Sequence, residues 1–139
     1  MLRSKTQVFF YALFFCAFAT LVQSCKKDDD DSPNPSSYPK SVSIQYKVSS
    51  ASGFTQALQL QYTNESGGIA SMTNEPLPFT KTITKTVNRY DVLILSFGTV
   101  GAGELKGEIL VNGTVAATKS FTGTSSSSTV PGQVTYTFQ

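Results

Sequence analysis

The stretch VSIQYKV at residues 42–48 decides the fold of this chain. Apolar and polar side chains alternate along it without interruption. Because successive side chains of a β-strand point to opposite faces, this period of two predicts a strand with one buried and one exposed face. A helix would instead need apolar residues three or four positions apart.

The same alternation recurs downstream, between turn signals and without any helix pattern. Asn112-Gly113 is the strongest of these signals, since both residues tolerate the positive φ of a tight hairpin. We therefore predict an all-β fold, an immunoglobulin-like antiparallel β-sandwich of seven or eight strands. The further predicted strands lie around residues 58–62, 69–73, 79–87, 92–97, 105–111, 115–121 and 134–138.

Two of these segments also predict their place in a sheet. Residues 92–97 form a continuous apolar run, so we expect a central strand with both faces covered. Residues 79–87 carry threonines on one face and place Lys81 and Lys85 among the apolar residues of the other. Lysines in such positions are typical of an edge strand, where they oppose edge-to-edge aggregation.

The composition divides the chain of 139 residues into three predicted parts. Residues 1–24 are a signal peptide, residues 25–39 a tether rich in Asp, Pro and Ser, and residues 40–139 the β-sandwich. A folded part of that size can bury enough surface to be stable without disulfides or metals.

The first part has the layout of a secretory signal. Arg3 and Lys5 give a positive start, residues 8–22 are apolar apart from Thr20, and a small residue precedes Cys25. The alternative is an uncleaved membrane anchor. Fifteen helical residues span only about 22 Å, short of the ~30 Å hydrocarbon core, so cleavage is favoured.

The end of this leader resembles the lipobox of bacterial lipoproteins. The resemblance implies that Cys25 becomes the first mature residue and carries a covalent diacylglycerol, which anchors the protein to a membrane. Several acyl chains would make this anchor essentially permanent. The residues of the lipobox are Leu21, Val22, Gln23 and Ser24, followed by Cys25.

The residues after Cys25 are similar to the mature start of many Bacteroidota lipoproteins, in which basic and then acidic residues form a surface-export signal. The resemblance implies an outer-membrane protein that faces the cell exterior, and the alternative is the periplasmic face. Two other interpretations are a plain solvated tether and a calcium site, but contiguous aspartates do not form the oxygen cage that calcium needs. The residues are Lys26, Lys27, Asp28, Asp29, Asp30 and Asp31.

Short motifs of the third part resemble the soluble domain of the mycobacterial membrane protein small (MmpS) family. They are YKV at 46–48, LQYT at 60–63, LPF at 77–79 and ILVNG at 109–113. The resemblance implies an immunoglobulin-like sandwich and an accessory role in lipid export. That family is anchored by a spanning helix, whereas this chain has a lipobox.

Several function classes are disfavoured by the residues themselves. From residue 40 onward seven scattered cations oppose five acids, which is not the dense basic face that nucleic acids need. His is absent and both cysteines precede residue 26, so we expect no disulfide, no metal site and no cofactor other than the lipid. Glu104 and Glu108 are the obvious carboxylate pair, but four strand residues separate them by about 13 Å, too far for a glycosidase. We therefore predict no catalytic residues.

Two functional hypotheses remain. In the first, the domain is a non-catalytic binding module for an envelope protein, a glycan or a lipid, with the loops 65–68, 98–103 and 123–132 as candidate contacts. In the second, it is a structural or transport-accessory subunit that docks its edge strand, residues 79–87, on an envelope protein.

Overall fold

The computed structural model describes residues 37–139, which fold into eight antiparallel strands and no helix. The chain divides into two units, Met1–Asn34 and Pro35–Gln139, and the strands belong to the second. The strands are β1 (Lys40–Ser52), β2 (Gln56–Thr63), β3 (Ile69–Pro76), β4 (Phe79–Val87), β5 (Val92–Val100), β6 (Gly103–Val111), β7 (Thr114–Gly123) and β8 (Thr129–Thr137).

The strands form two four-stranded sheets, in the orders β4-β1-β6-β7 and β3-β2-β5-β8. The predicted all-β antiparallel sandwich is confirmed, with eight strands. Most connections cross from one sheet to the other, so the two sheets are interleaved along the chain. The predicted positions of two strands are confirmed as well, since β4 is an edge strand and β5 is central.

The deciding stretch lies in β1, between β4 and β6. Ile44 pairs with Ile83 on one side and Val111 on the other, so apolar residues of three strands meet on the inner face. The core joins side chains of both sheets. Its fully buried members are Ile44, Tyr46, Val48, Leu60, Leu93, Leu95, Leu105, Ile109, Val87, Val130 and Phe138.

Tyr46 links the two sheets at the centre of this core. Its hydroxyl donates a hydrogen bond of 2.8 Å to the backbone carbonyl of Thr63, and its ring packs 5.2 Å from that of Tyr62. Burial raises the pKa of the Tyr46 phenol far above its usual value. No buried side-chain N or O atom between residues 37 and 139 lacks a hydrogen-bond partner.

The sequence predicted that both faces of the central strand β5 would be covered, and this was wrong for the outer face. Leu93, Leu95 and Phe97 are buried, whereas Ile94 and Ser96 are only half-buried. The apolar run is thus an alternating strand with two aliphatic residues, Val92 and Ile94, on its outer side. No second layer covers that side in the described part of the chain.

The alternation also failed at Leu58, which is exposed although the pattern placed it in the core. Ala57 and Leu60 are buried instead, and the ladder between β2 and β5 reaches only as far as Gln59 opposite Gly98. Beyond it, the hydroxyl of Thr99 donates to the carbonyl of Gln56. The strict alternation of buried and exposed residues is thus interrupted at Leu58 and Gln59, which are both exposed.

The turns are shorter than predicted. Only residues 101–102 and 124–128 lie outside strands in the segments 98–103 and 123–132. Pairing of β3 continues to Pro76, which an edge strand tolerates because a missing N–H can face solvent. The predicted Asn112-Gly113 hairpin is confirmed, with φ of 50° and 81°. Asn112 also donates its N–H to Ser43 and accepts the N–H of Ser43 with its side chain.

The turns gather at the two ends of the sandwich. The near end, where the chain leads from residue 37 into β1, holds the turns 64–68, 88–91 and 112–113 and the C-terminus. The far end holds the turns 53–55, 101–102 and 124–128 and the short link between β3 and β4. The three loops predicted as contacts are thereby divided between the two ends.

Candidate binding surfaces

The three loops predicted as binding elements do not form one site. The turn 65–68 lies at the near end, and the other two meet at the far end, where Gly101 donates its N–H to Ser128. At the near end, the side chain of Asn64 accepts bonds from the N–H and hydroxyl of Ser66. This turn uses its polar groups internally, which is typical of a connector.

The serine-rich turn 125–128 is also closed on itself. Ser128 donates its N–H to the carbonyl of Ser125, and Ser125 donates its N–H to the hydroxyl of Ser128. The two hydroxyls lie 2.9 Å apart. The serines therefore stabilise the turn first, and any ligand would have to compete with these bonds.

Glycines make the far end tightly packed. A Cβ on Gly53 would lie 2.2 Å from the carbonyl oxygen of Ala102, and one on Gly103 would lie 2.3 Å from that of Ser52. Both residues have positive φ, which favours glycine. The turns of the far end therefore hold one another in place through backbone contacts.

The edge strand β4 is paired along its whole length with β1 on one side and is unpaired on the other. Its threonines are exposed, and Thr82 accepts a hydrogen bond from the amide of Gln45. Lys81 and Lys85 lie on the same face as the buried Ile83, as the sequence predicted. Charges that point toward the core side of an edge oppose addition of another strand.

A groove that the sequence did not indicate lies on the outer face of the β3-β2-β5-β8 sheet. Its volume is about 630 Å³, within the range of small-molecule sites. Gln59, Ser96 and Gln133 contribute polar groups from β2, β5 and β8, and Val100 and Pro131 contribute apolar surface. Of the described residues that line the groove, Lys119 alone carries a charge.

The polar groups of the groove belong to a row that crosses the sheet. Gln61 is opposite Ser71 on one side and Ser96 on the other, and Ser96 is opposite Gln133. The Gln61 amide donates to the Ser71 hydroxyl at 3.1 Å, and the Gln133 amide donates to the Ser96 hydroxyl at 3.3 Å. Each amide is thus oriented by a hydroxyl group of the neighbouring strand.

The groove exists because Gly98 has no side chain. Gly98 points to the outer face between Gln59 and Pro131, and a Cβ built on it would meet no atom within 4 Å. Gly132, on the neighbouring strand, lies against the inner face of the sheet. A Cβ there would lie 2.3 Å from the Phe97 ring. One glycine therefore opens the surface and the other makes room for the core.

Aromatic rings support the groove from beneath and from the side. The rings of Phe97 and Phe121 meet edge to face at 5.4 Å, and the Lys119 ammonium lies 5.2 Å from the Phe121 ring centre. Lys119 and Phe121 come from β7 of the other sheet. The groove is thus built from residues of four strands, β2, β5, β7 and β8.

The carboxylate pair singled out in the sequence, Glu104 and Glu108, lies on β6. Glu108 forms an ion pair of 2.8 Å with Lys106, and both side chains lie on the outer face of β6 with Glu104. In residues 37–139, no group of three or more His, Cys, Asp or Glu side chains could hold a metal ion. No helix in this part of the chain could span a membrane.

The residues predicted to carry the lipid anchor and the export signal lie outside the described residues. These are Leu21, Val22, Gln23, Ser24, Cys25, Lys26, Lys27, Asp28, Asp29, Asp30 and Asp31. Neither a scan against protein-family models nor a search of the curated proteins found a match for this chain. The lipoprotein and MmpS resemblances therefore rest on their motifs.

The groove could have been found from the sequence only with knowledge of the strand order. Its residues lie in four segments between positions 58 and 133, and none is unusual within its own strand. The available signal was the neutral amide and hydroxyl character of the polar positions in β2, β5 and β8. That signal becomes spatial only when the register places Gln61, Ser96 and Gln133 side by side.

Proposed function

We propose that this protein is a lipid-anchored, non-catalytic binding module of the cell envelope. Diacylglycerol on Cys25 would hold it in the outer membrane, and Lys26 and Lys27 with the four aspartates would direct it to the cell exterior. The groove on the outer face of β2, β5 and β8 would be its ligand site. The ligand is an envelope protein, a glycan or a lipid.

The groove opened by Gly98 is the observation that carries this proposal. It combines a volume of about 630 Å³ with oriented amides and adjacent apolar surface, which are the usual components of a recognition site. Its weak charge suits an uncharged polar ligand better than a nucleic acid.

The position of the groove also supports the proposal. Leu58, Val100 and Thr129 belong to the strand ends of the far end, away from the side where residue 37 leads into β1. A domain tethered through its N-terminus would therefore present the groove on its outer half.

A pull-down from the native envelope with the lipidated protein tests this function. Because a Cβ at position 98 meets no atom within 4 Å, we expect Gly98→Trp to occupy the groove and to abolish ligand capture. Val115→Trp is the matched control, because Val115 is 49% exposed on the other sheet. Capture that survives Gly98→Trp in a folded protein would contradict the assignment of the groove.

The second candidate is a structural or transport-accessory subunit that docks by β4, a role in line with the MmpS resemblance. The observation in its favour is the free edge of β4, paired regularly with β1 from Phe79 to Val87. We expect Thr82→Pro to prevent co-purification of a partner in this case. A partner that stays bound to a folded Thr82→Pro protein would exclude this mode.

The anchor and its orientation can be tested separately. Cys25→Ser should release the protein from membranes, as seen by fractionation and by loss of lipid labelling. Replacing the four aspartates with asparagines should protect the domain from protease added to intact cells. If the wild-type domain is already protected, it faces the periplasm instead.

A further inference from the structure

The near end of the sandwich exposes most of the large apolar side chains that the described surface carries. Ile69 follows the turn 64–68, Tyr90 and Val92 belong to or follow the turn 88–91, and Val115 follows the hairpin 112–113. Their exposed fractions are between 47% and 67%. At the far end only Leu58 and Val100 are comparable, and both line the groove.

Tyr90 is the most exposed of these residues, at 67%, and its backbone is strained. Its φ of 70° lies in the left-handed region, which costs an aromatic residue about 1 kcal/mol or more. The turn holds this conformation firmly, because Tyr90 donates its N–H to Phe138 and Phe138 donates its N–H to Asp91. The fold thus projects a tyrosine ring into solvent at a cost in stability.

Cationic side chains lie close to two tyrosine rings at the near end. The Arg89 guanidinium lies 5.3 Å from the Tyr90 ring centre, and Lys40 lies over the Tyr38 ring at 4.5 Å. The carboxylate of Asp91 accepts the N–H of Asn88 and so is turned back into its own turn. The near end therefore combines the exposed Tyr90 ring and its neighbouring Arg89 with exposed aliphatic groups, and Tyr and Arg are typical anchors at membrane interfaces.

The distance to the proposed anchor brings this end close to a bilayer. Twelve residue steps (37 − 25) separate Cys25 from Ser37, and in any conformation they span at most about 40 Å. Anchoring would therefore give the near end a high effective concentration at the membrane, so that even a weak contact would be populated.

We infer that the near end, through Tyr90, Val92 and Arg89, contacts the headgroup region of the bilayer that holds Cys25. Tyr90 and Val92 enter the interface, and Arg89 binds lipid phosphate. The contact fixes the sandwich upright, with the groove directed away from the membrane. This inference rests on the proposed lipid anchor.

The absence of Trp from the chain gives this inference a direct test. The mature lipidated protein (residues 25–139), carrying Tyr90→Trp or Val92→Trp as the sole tryptophan, is reconstituted in phosphatidylethanolamine and phosphatidylglycerol vesicles with brominated acyl chains. Val100→Trp serves as the matched control, because Val100 is similarly exposed at the far end. We expect near-end tryptophans to be quenched roughly twofold by brominated lipid and the far-end one to be unaffected.

Three outcomes distinguish the proposed membrane contact of the near end from the proposed lipid anchor on Cys25. Flotation with vesicles and quenching at the near end alone support the contact, and Arg89→Glu should then reduce the quenching. Flotation with equal, weak quenching at both ends overturns the contact and leaves the anchor intact. Failure to float overturns the anchor, and the contact with it. Val92→Trp keeps the test decisive if Tyr90→Trp perturbs the strained turn.

Discussion

The two ends of the sandwich are built in opposite ways. At the far end, glycines with positive φ let the backbones of neighbouring turns touch, as at Gly53 and Gly103. At the near end, a tyrosine occupies the positive-φ position of the turn 88–91 and its ring points into solvent. At the far end, glycines thus allow close backbone contacts between turns. At the near end, the Tyr90 side chain is retained although its backbone is strained.

This difference shows which end of the sandwich offers uncovered groups for contact with other molecules. The far-end turns pack tightly against one another beside the groove. Their polar groups form hydrogen bonds within the turns, as in the turn 125–128. The near-end turns leave apolar groups uncovered. Strain that is retained at an exposed aromatic residue points to function more than to folding.

The largest expected effect is at the far-end glycines. Gly103→Ala would place a methyl group 2.3 Å from the Ser52 carbonyl at a φ of 151°. We expect it to lower the free energy of unfolding by about 3 kcal/mol, measured by urea denaturation. Gly113→Ala at the near end is the control, because its Cβ meets nothing and only the strain of about 1 kcal/mol remains. Equal effects would refute the contrast between the ends.

The next effect concerns Tyr46, which joins the sheets between the two ends. Tyr46→Phe leaves the Thr63 carbonyl without its buried donor and should cost about 1–2 kcal/mol at neutral pH, by the same denaturation experiment. About 0.5 kcal/mol is the lower limit for the contribution of a hydrogen bond. A smaller loss of stability would mean that another donor, such as water, replaces the hydroxyl.

The same residue predicts a pH dependence. Because the folded-state pKa of Tyr46 is raised, the neutral phenol contributes fully below about pH 10, the pKa of an unfolded tyrosine. That contribution is lost as the pH rises from there toward the folded-state pKa. Wild-type protein should therefore lose stability above about pH 10 more steeply than Tyr46→Phe. Parallel curves for the two proteins would contradict this.

A smaller effect of opposite sign is expected at the near end. Tyr90→Asn places a residue that tolerates left-handed φ in the strained position and should stabilise the isolated protein by about 0.5 kcal/mol. Thermal unfolding in detergent solution measures it. A loss of stability would show that the Tyr90 ring contributes to folding, and that strain there needs no functional explanation.

The smallest effect is expected at the groove. Gly98→Leu should change the free energy of unfolding by less than about 0.5 kcal/mol, because its side chain enters open space. Gly132→Ala, one strand away, should be clearly destabilising because its Cβ would meet the Phe97 ring. Denaturation of the two variants side by side distinguishes a glycine that opens a surface from one that serves the core.

The strands could be predicted from the sequence where local pattern and environment agree. The alternation around Tyr46 and the Asn112-Gly113 hairpin were both correct, because each is determined by neighbouring residues. The edge position of β4 followed from Lys81 and Lys85. The prediction for Leu58 was wrong because β2 interrupts its alternation there, with Leu58 and Gln59 both exposed between the buried Ala57 and Leu60, and the local apolar pattern gives no sign of that interruption.

The candidate site could not be predicted in the same way. The groove depends on Gly98 lying beside Gln59 and Pro131, and only the strand order brings these residues together. The exposed apolar groups of the near end are equally invisible in the sequence, since Val92 has the same local pattern as a buried valine. Sequence reasoning instead chose glycine and serine loops, which the structure shows to be bonded internally.

Hydroxyl-radical footprinting of the lipidated protein, alone and with native envelope extract, tests the central claim most directly. The proposed function predicts that Leu58, Val100 and Pro131, which line the groove, become protected from oxidation, while the exposed Lys81 and its exposed neighbours in β4 stay unchanged. Protection of β4 with unchanged oxidation of the groove residues would contradict it and identify the edge strand as the binding surface.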